Sequence, residues 1–180
     1  MNWQETLIKY ERNKDWDKAI VFMQNKISKN EDDVWLSIHC IYLFHYILSK
    51  SDYPINKYEN LQQSLQRLFE VSSFKFAENS EYLFFVGKIL YIGPWYFGLI
   101  DDSTAFSFQK KAWDLQINNH LYEWAYRYSK VGAPREDELA HEIMSNDIAA
   151  VEYLKSKGFP GNYILNHLKM SSEGFCNSNN

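Results

Sequence analysis

Apolar residues recur at helical spacing along almost the whole chain. In the first thirty residues, Trp3, Leu7 and Tyr10 lie on one helix face, and a second helix follows from Trp16 after a break at Asn13. No stretch alternates apolar and polar residues over the length of a strand. The pattern therefore predicts an all-α fold of irregular stacked helical hairpins.

Turn and cap residues divide the rest of the chain into further helices. The next expected helix runs from the acidic Glu31, Asp32 and Asp33 to about Ser49, and another contains Leu61 and Phe69 and ends in a loop at Ser72 and Ser73. Two further helices are expected over 80–92 and over 103–116. The last four are expected from Leu121 to about Gly132, from Pro134 onward, from Asp147 to Gly158, and after Pro160, Gly161 and Asn162. Each boundary rests on Gly, Pro, Ser, Asn or Asp residues between apolar runs.

The segment 82–100 is long enough to cross a bilayer and contains one charge, Lys88. Gly93, Pro94 and Gly98 interrupt it, however. Because these residues end helices and form turns, we expect a buried helix followed by a turn, and no membrane span.

The length of 180 residues and the 46% apolar content favour one helical domain, expected over 1–170. Residues 171–180 are polar and predict a disordered tail. The net charge of -4 is unsuited to coating nucleic acid, since phosphate binding requires a surplus of Lys and Arg. A basic protein partner suits the charge better.

Two cysteines, Cys40 and Cys176, form neither a disulfide framework nor a metal-binding spacing. The amino terminus lacks a basic start followed by an apolar stretch, so no secretory signal is expected. These features together predict a cytoplasmic protein.

No catalytic, cofactor or metal site is predicted. His39 and His45 are six residues apart on one helix and point in different directions, and His141–Glu142 lacks the second histidine of a zinc helix. Phosphate loops and nucleophile elbows are also missing from the sequence. Acid–base sites built from scattered carboxylates leave no local motif, so an enzyme remains an alternative.

Two kinds of residue are candidates for binding a partner. The aromatic pair Trp95 and Tyr96 could anchor a complex, although large aromatic residues at helical spacing more often fill a core. Acidic residues at presumed helix starts could attract a basic partner, or could only complement the helix dipoles. These acidic candidates are Asp101, Asp102, Glu136, Asp137 and Glu138.

Two stretches show spacings of the tetratricopeptide pattern. Trp3, Tyr10 and Ala19 fit the first stretch; Gly93, Tyr96, Ala105 and Ala112 fit the second. The first 117 residues thus resemble an irregular tetratricopeptide-like array. The resemblance implies that Ala105 and Ala112 lie where the second helix of a pair crosses the first closely. Pro94 departs from the pattern, because it intrudes where the first helix should continue.

A small acidic helical protein of this kind resembles, by type, the immunity proteins of bacterial contact-dependent growth-inhibition systems. That resemblance implies tight binding to a cognate toxin domain, often a basic nuclease, whose active site or substrate surface is occluded. A peptide-binding scaffold or adaptor is the alternative among interaction proteins, and an enzyme of unrecognised type is the alternative from another class.

Overall fold

The computed structural model describes residues 3–50, 53–130 and 136–178, and their only regular secondary structure is helical. The prediction of an all-α fold of helical hairpins is therefore confirmed. The α-helices of these ranges are α1 Trp3–Arg12, α2 Trp16–Ile27, α3 Val34–Leu48, α4 Ile55–Lys75, α5 Ser80–Ile92, α6 Ser103–Leu115, α7 His120–Tyr128, α8 Glu136–Asn146, α9 Ile148–Ser156 and α10 Gly158–Ser178.

The helices group into two compact units, Met1–Lys75 and Phe76–Asn180. In the first unit α1, α2, α3 and α4 pack in chain order, each on the next. In the second unit α5 to α9 do the same, and α10 packs on both α8 and α9. The single domain expected over 1–170 stays a prediction, because the compactness of a unit does not show whether it folds independently.

Helix α3 forms the core of the first unit. Most of its side chains are buried, including those of His39 and His45. Burial lowers the pKa of His45 to about 4, so the ring is neutral. The Asp33 side chain caps the helix, accepting hydrogen bonds from the backbone N–H groups of Trp35 and Leu36 at 2.9 and 3.0 Å.

The segment 82–100 is a buried helix followed by a turn, as predicted. Helix α5 ends at Ile92, and a short 3₁₀ helix, Pro94–Phe97, follows the Gly93 cap. Gly98 closes this turn with a φ of 76°, a conformation that favours glycine. No helix of the described residues combines the length and apolar character that crossing a bilayer requires.

Helices α5 and α6 approach each other closely at Gly87. A Cβ atom there would lie 2.5 Å from Gln109 Nε2 and 3.1 Å from Phe108 Cβ on α6. Gln109 is itself buried, and its Nε2 donates to the Phe84 carbonyl oxygen on α5 at 2.9 Å. Glycine is therefore the residue that allows the two helices to pack at this distance.

The tetratricopeptide register is wrong in one respect. It places Gly93 and Tyr96 in the first helix of a pair, but α5 ends at Ile92 and both residues lie beyond it. Proline at position 94 cannot donate the backbone hydrogen bond that a continuing helix needs. Ala105 and Ala112 of α6 are fully buried, yet the small residue on α5 is Gly87.

The predicted loop at Ser72 and Ser73 is also wrong, because α4 continues to Lys75. The Ser72 hydroxyl donates to the Leu68 carbonyl oxygen at 2.6 Å, and the Ser73 hydroxyl donates to that of Glu70 at 3.0 Å. Bonds of this kind allow serine to remain inside a helix.

The end of the chain differs most from the prediction. Helix α10 begins at Gly158, and Pro160 lies in its first turn, where a missing N–H is tolerated. Residues 171–178, predicted as a disordered tail, continue the helix; Ser171 is buried, and Phe175 lies against His141 of α8 with ring centres 5.2 Å apart. The expected boundaries at Gly132 and Pro134 fall outside the described residues.

Substituting Gly87→Ala should destabilise the protein. A helical alanine is favoured over glycine by about 0.5–1 kcal/mol, but overpacking against Gln109 and Phe108 costs about 1–3 kcal/mol. We expect a lower midpoint in urea unfolding. The control is Gly174→Ala in α10, whose Cβ would meet Asp137 at an ordinary 3.5 Å and should leave stability unchanged or raise it. Equal midpoints for the two variants would contradict the close approach at Gly87.

Candidate docking surface

The connection between α5 and α6 exposes apolar and acidic side chains together. Trp95 is 60% exposed, Ile100 is fully exposed, and Tyr96 lies against Trp95 with ring centres 5.5 Å apart. Asp101 and Asp102 follow directly and are both exposed. Trp95, Tyr96, Ile100, Asp101 and Asp102 define what we call the acidic connection. A surface that combines an exposed tryptophan, an exposed isoleucine and carboxylates has a composition suited to protein recognition.

The two aspartates of the acidic connection have different local roles. Asp101 Oδ1 accepts a hydrogen bond from the Ser103 backbone N–H at 3.0 Å, and bonds from Ser103 lower the pKa of Asp101. Asp102 occupies the cap position of α6 without a side-chain bond to the helix. Its carboxylate is therefore the one whose charge can be changed without removing a capping bond.

The second predicted acidic cluster lies on a separate element, in the first turn of α8. Glu136, Asp137 and Glu138 are all partly buried there. Burial raises the pKa of Glu136, and the neighbouring charge of Asp137 raises it further. Asp137 faces Gly174 of α10. These residues thus contribute to packing in the second unit, unlike the freely exposed pair on the acidic connection.

Glu136 also acts on the most unusual charged group of the second unit. Lys88 of α5 is 1% exposed, and its Nζ lies 3.6 Å from the ring centre of Tyr128 and 4.2 Å from that of Trp124. Burial lowers the pKa of Lys88 to about 7, and the charge of Glu136 opposes this shift. Within the described residues, Nζ has no hydrogen-bond partner.

His167 of α10 belongs to the same cluster. Its ring centre lies 4.7 Å from that of Tyr163 and 6.4 Å from that of Tyr128. Burial and, to a smaller extent, the charge of Lys88 together lower the pKa of His167 to about 4. The aromatic faces are the main attraction offered to the buried ammonium, because the ring quadrupole is negative at its face.

The second unit also contains an open groove of about 980 Å³ between α5, α7 and α9. Its lining includes Glu81, which accepts hydrogen bonds from the Tyr153 hydroxyl and from Lys157 Nζ, the latter at 2.9 Å. Burial raises the pKa of Tyr153, so its hydroxyl remains protonated and donates to Glu81. Gln116 Nε2 donates to Ser80 Oγ at 2.8 Å and joins the end of α6 to the start of α5.

No protein-family model, curated protein or solved structure matches this chain.

Sequence reasoning identified four of the five residues of the acidic connection and missed Ile100. An isoleucine at the end of an apolar segment predicts burial, but its position in the predicted turn, next to the Asp pair, could have indicated exposure. Sequence reasoning also missed the groove, because Glu81, Ile117 and Asp147 lie thirty or more residues apart in the sequence. No local motif joins them.

Replacing Lys88 by methionine should stabilise the protein in a pH-dependent way. Lys88 has a pKa of about 7 when folded and 10.5 ordinarily, so between these values the unfolded chain binds a proton that the folded chain does not. The stability of the native sequence therefore rises with pH over this window, and below about pH 7 the full penalty applies.

We expect Lys88→Met to raise the free energy of unfolding at about pH 6 by on the order of 1–4 kcal/mol. Loss of the attraction between the ammonium group and the aromatic rings reduces this gain. This difference should shrink as the pH approaches about 10. Urea unfolding at several pH values measures it, with the exposed Lys18→Met as control. A Lys88→Met variant less stable than the native chain at low pH would show that the rings and Glu136 compensate the burial fully.

Proposed function

We propose that this chain is a cytoplasmic immunity protein that binds and neutralises a cognate, basic toxin domain through the acidic connection. The observation that carries this proposal is the exposure of Ile100 directly before the exposed Asp101 and Asp102, with Trp95 exposed in the same connection between α5 and α6. Large apolar side chains in water favour a complex that buries them, and adjacent carboxylates select a partner with basic groups. Occluding the toxin's active site or substrate surface requires no chemistry from this chain.

The two kinds of side chain have separate roles in this proposal. Long-range attraction from the carboxylates mainly accelerates association and is screened over about 8 Å at physiological salt. Burial of the tryptophan and isoleucine mainly slows dissociation, because it removes apolar surface from water. A tight and rapidly formed complex, as an antidote needs, requires both.

Truncating Trp95→Ala should weaken the toxin complex without unfolding the protein. Its side chain is mostly exposed, so loss of stability should be small, whereas a central aromatic residue of an interface contributes at least about 2 kcal/mol, or roughly thirtyfold in affinity. Calorimetric titration measures the change. Phe74→Ala, which truncates an exposed aromatic residue of the first unit, is the matched control and should leave affinity unchanged.

Reversing the charge with Asp102→Lys should slow association about fivefold at low salt and less at high salt. Helix α6 should remain folded, because the Asp102 side chain makes no capping bond. Asp33→Lys is the contrasting variant: Asp33 caps α3 with two bonds, so it should lose about 1–2 kcal/mol of stability while leaving the association rate unchanged. Stopped-flow mixing separates the two effects.

The proposal as a whole is tested by co-expressing this chain with each of the genes adjacent to its own in the genome, one of which the proposal expects to encode the toxin. Survival of the host with the native chain, and death with the Trp95→Ala variant, is the expected result. If the native chain gives no protection and no complex forms with the purified toxin at micromolar concentration, the immunity proposal is wrong.

A further inference from the structure

The groove between α5, α7 and α9 is separate from the acidic connection. Helix α5 has 13 residues and is therefore about 20 Å long. Its first turn, with Glu81, lines the groove, and its last turn leads to the acidic connection. The two surfaces thus lie at opposite ends of the same helix.

One wall of the groove is apolar and exposed. Leu115 and Ile117, at the end of α6 and in the connection that follows, both line the groove, and Ile117 is 62% exposed. Burying a side chain of this size against a ligand removes apolar surface from water and so favours the complex. The groove therefore offers a specific place for a large apolar side chain.

A second part of the lining is acidic. Among the described lining residues, Glu81 and Asp147 are the charged ones, and neither lysine nor arginine is present. Lys157 already pairs with Glu81, whereas Asp147 accepts the Ala150 backbone N–H at 2.9 Å and keeps acceptor capacity for a ligand. A positively charged side chain is the complement of this wall.

Two further polar side chains of the lining, those of Asn118 and His120, can form hydrogen bonds with a peptide backbone. Asn118 and His120 line the groove, are exposed, and make no hydrogen bond with the described part of the chain. Together they supply both donors and acceptors, which the N–H and C=O groups of an extended segment require. The volume of about 980 Å³ admits several side chains at once.

We propose that this groove binds an extended peptide segment in which lysine or arginine side chains alternate with large apolar side chains. The apolar side chains pack on Leu115 and Ile117, a basic side chain pairs with Asp147, and the backbone bonds to Asn118 and His120. This second binding surface goes beyond the toxin-binding proposal and does not depend on it.

The test titrates the full chain into a fluorescein-labelled peptide of alternating lysine and leucine and measures fluorescence anisotropy. Saturable binding that weakens with salt is expected, and a peptide with glutamate in place of lysine should bind far more weakly. Ile117→Ser should reduce affinity about tenfold, since it removes most of the apolar contact. The control Met170→Ser changes an equally exposed side chain of α10 outside the groove and should have no effect.

Asp147→Asn separates charge from structure at the acidic wall. Asparagine caps a helix as well as aspartate does, so α9 should remain intact by circular dichroism. Loss of the charge should weaken binding about two- to fivefold and flatten the salt dependence. These effects are specific to the groove.

Three results would overturn the proposal: no saturable binding of the lysine peptide, equal binding of the glutamate peptide, or equal affinities of Ile117→Ser and Met170→Ser. Trp95→Ala distinguishes the two surfaces. If it weakens peptide binding as much as Ile117→Ser does, the peptide binds at the acidic connection and the groove proposal is wrong. The toxin proposal is tested separately by the co-expression experiment, which does not use the groove variants.

Discussion

The close approach of α5 and α6 at Gly87 determines where both candidate surfaces of the second unit are placed. Because glycine has no Cβ, α6 can lie directly against α5 and present Gln109 to the Phe84 carbonyl oxygen. This crossing sets the position of the acidic connection, which joins the two helices at one end of the pair. At the other end, the first turn of α5 and the last turn of α6 meet and form two sides of the groove.

Burial of Lys88 is the second constraint on this unit. A lysine in the middle of an apolar helix carries a desolvation penalty, and the aromatic faces of Trp124 and Tyr128 offset part of it. These rings come from α7, and the nearby His167 comes from α10. Part of the high aromatic content of the sequence, 17%, therefore surrounds a charge and does not only fill a core.

Helices with continuous apolar runs are the part of the fold that the sequence predicts best. The bounds of α5 follow from its apolar run and the Gly93–Pro94 break, and α3 follows from its own run after the acidic cap. Local rules fail where tertiary contacts outweigh them. Pro160 and Gly161 indicate a loop locally, but α10 begins before them, and a Cβ at position 161 would overlap the Leu154 carbonyl oxygen of α9.

The candidate surfaces differ in predictability for the same reason. The acidic connection is contiguous in sequence, so its residues can be recognised before the fold is known, whereas the groove exists only after four segments are brought together. In both places exposed apolar side chains adjoin carboxylates. The charges keep such patches hydrated and disfavour pairing of two copies through the same acidic face, because like charges would then be brought together. A partner that is both apolar and basic would avoid this repulsion, and the partners proposed for the two ends of α5 share this composition for that reason.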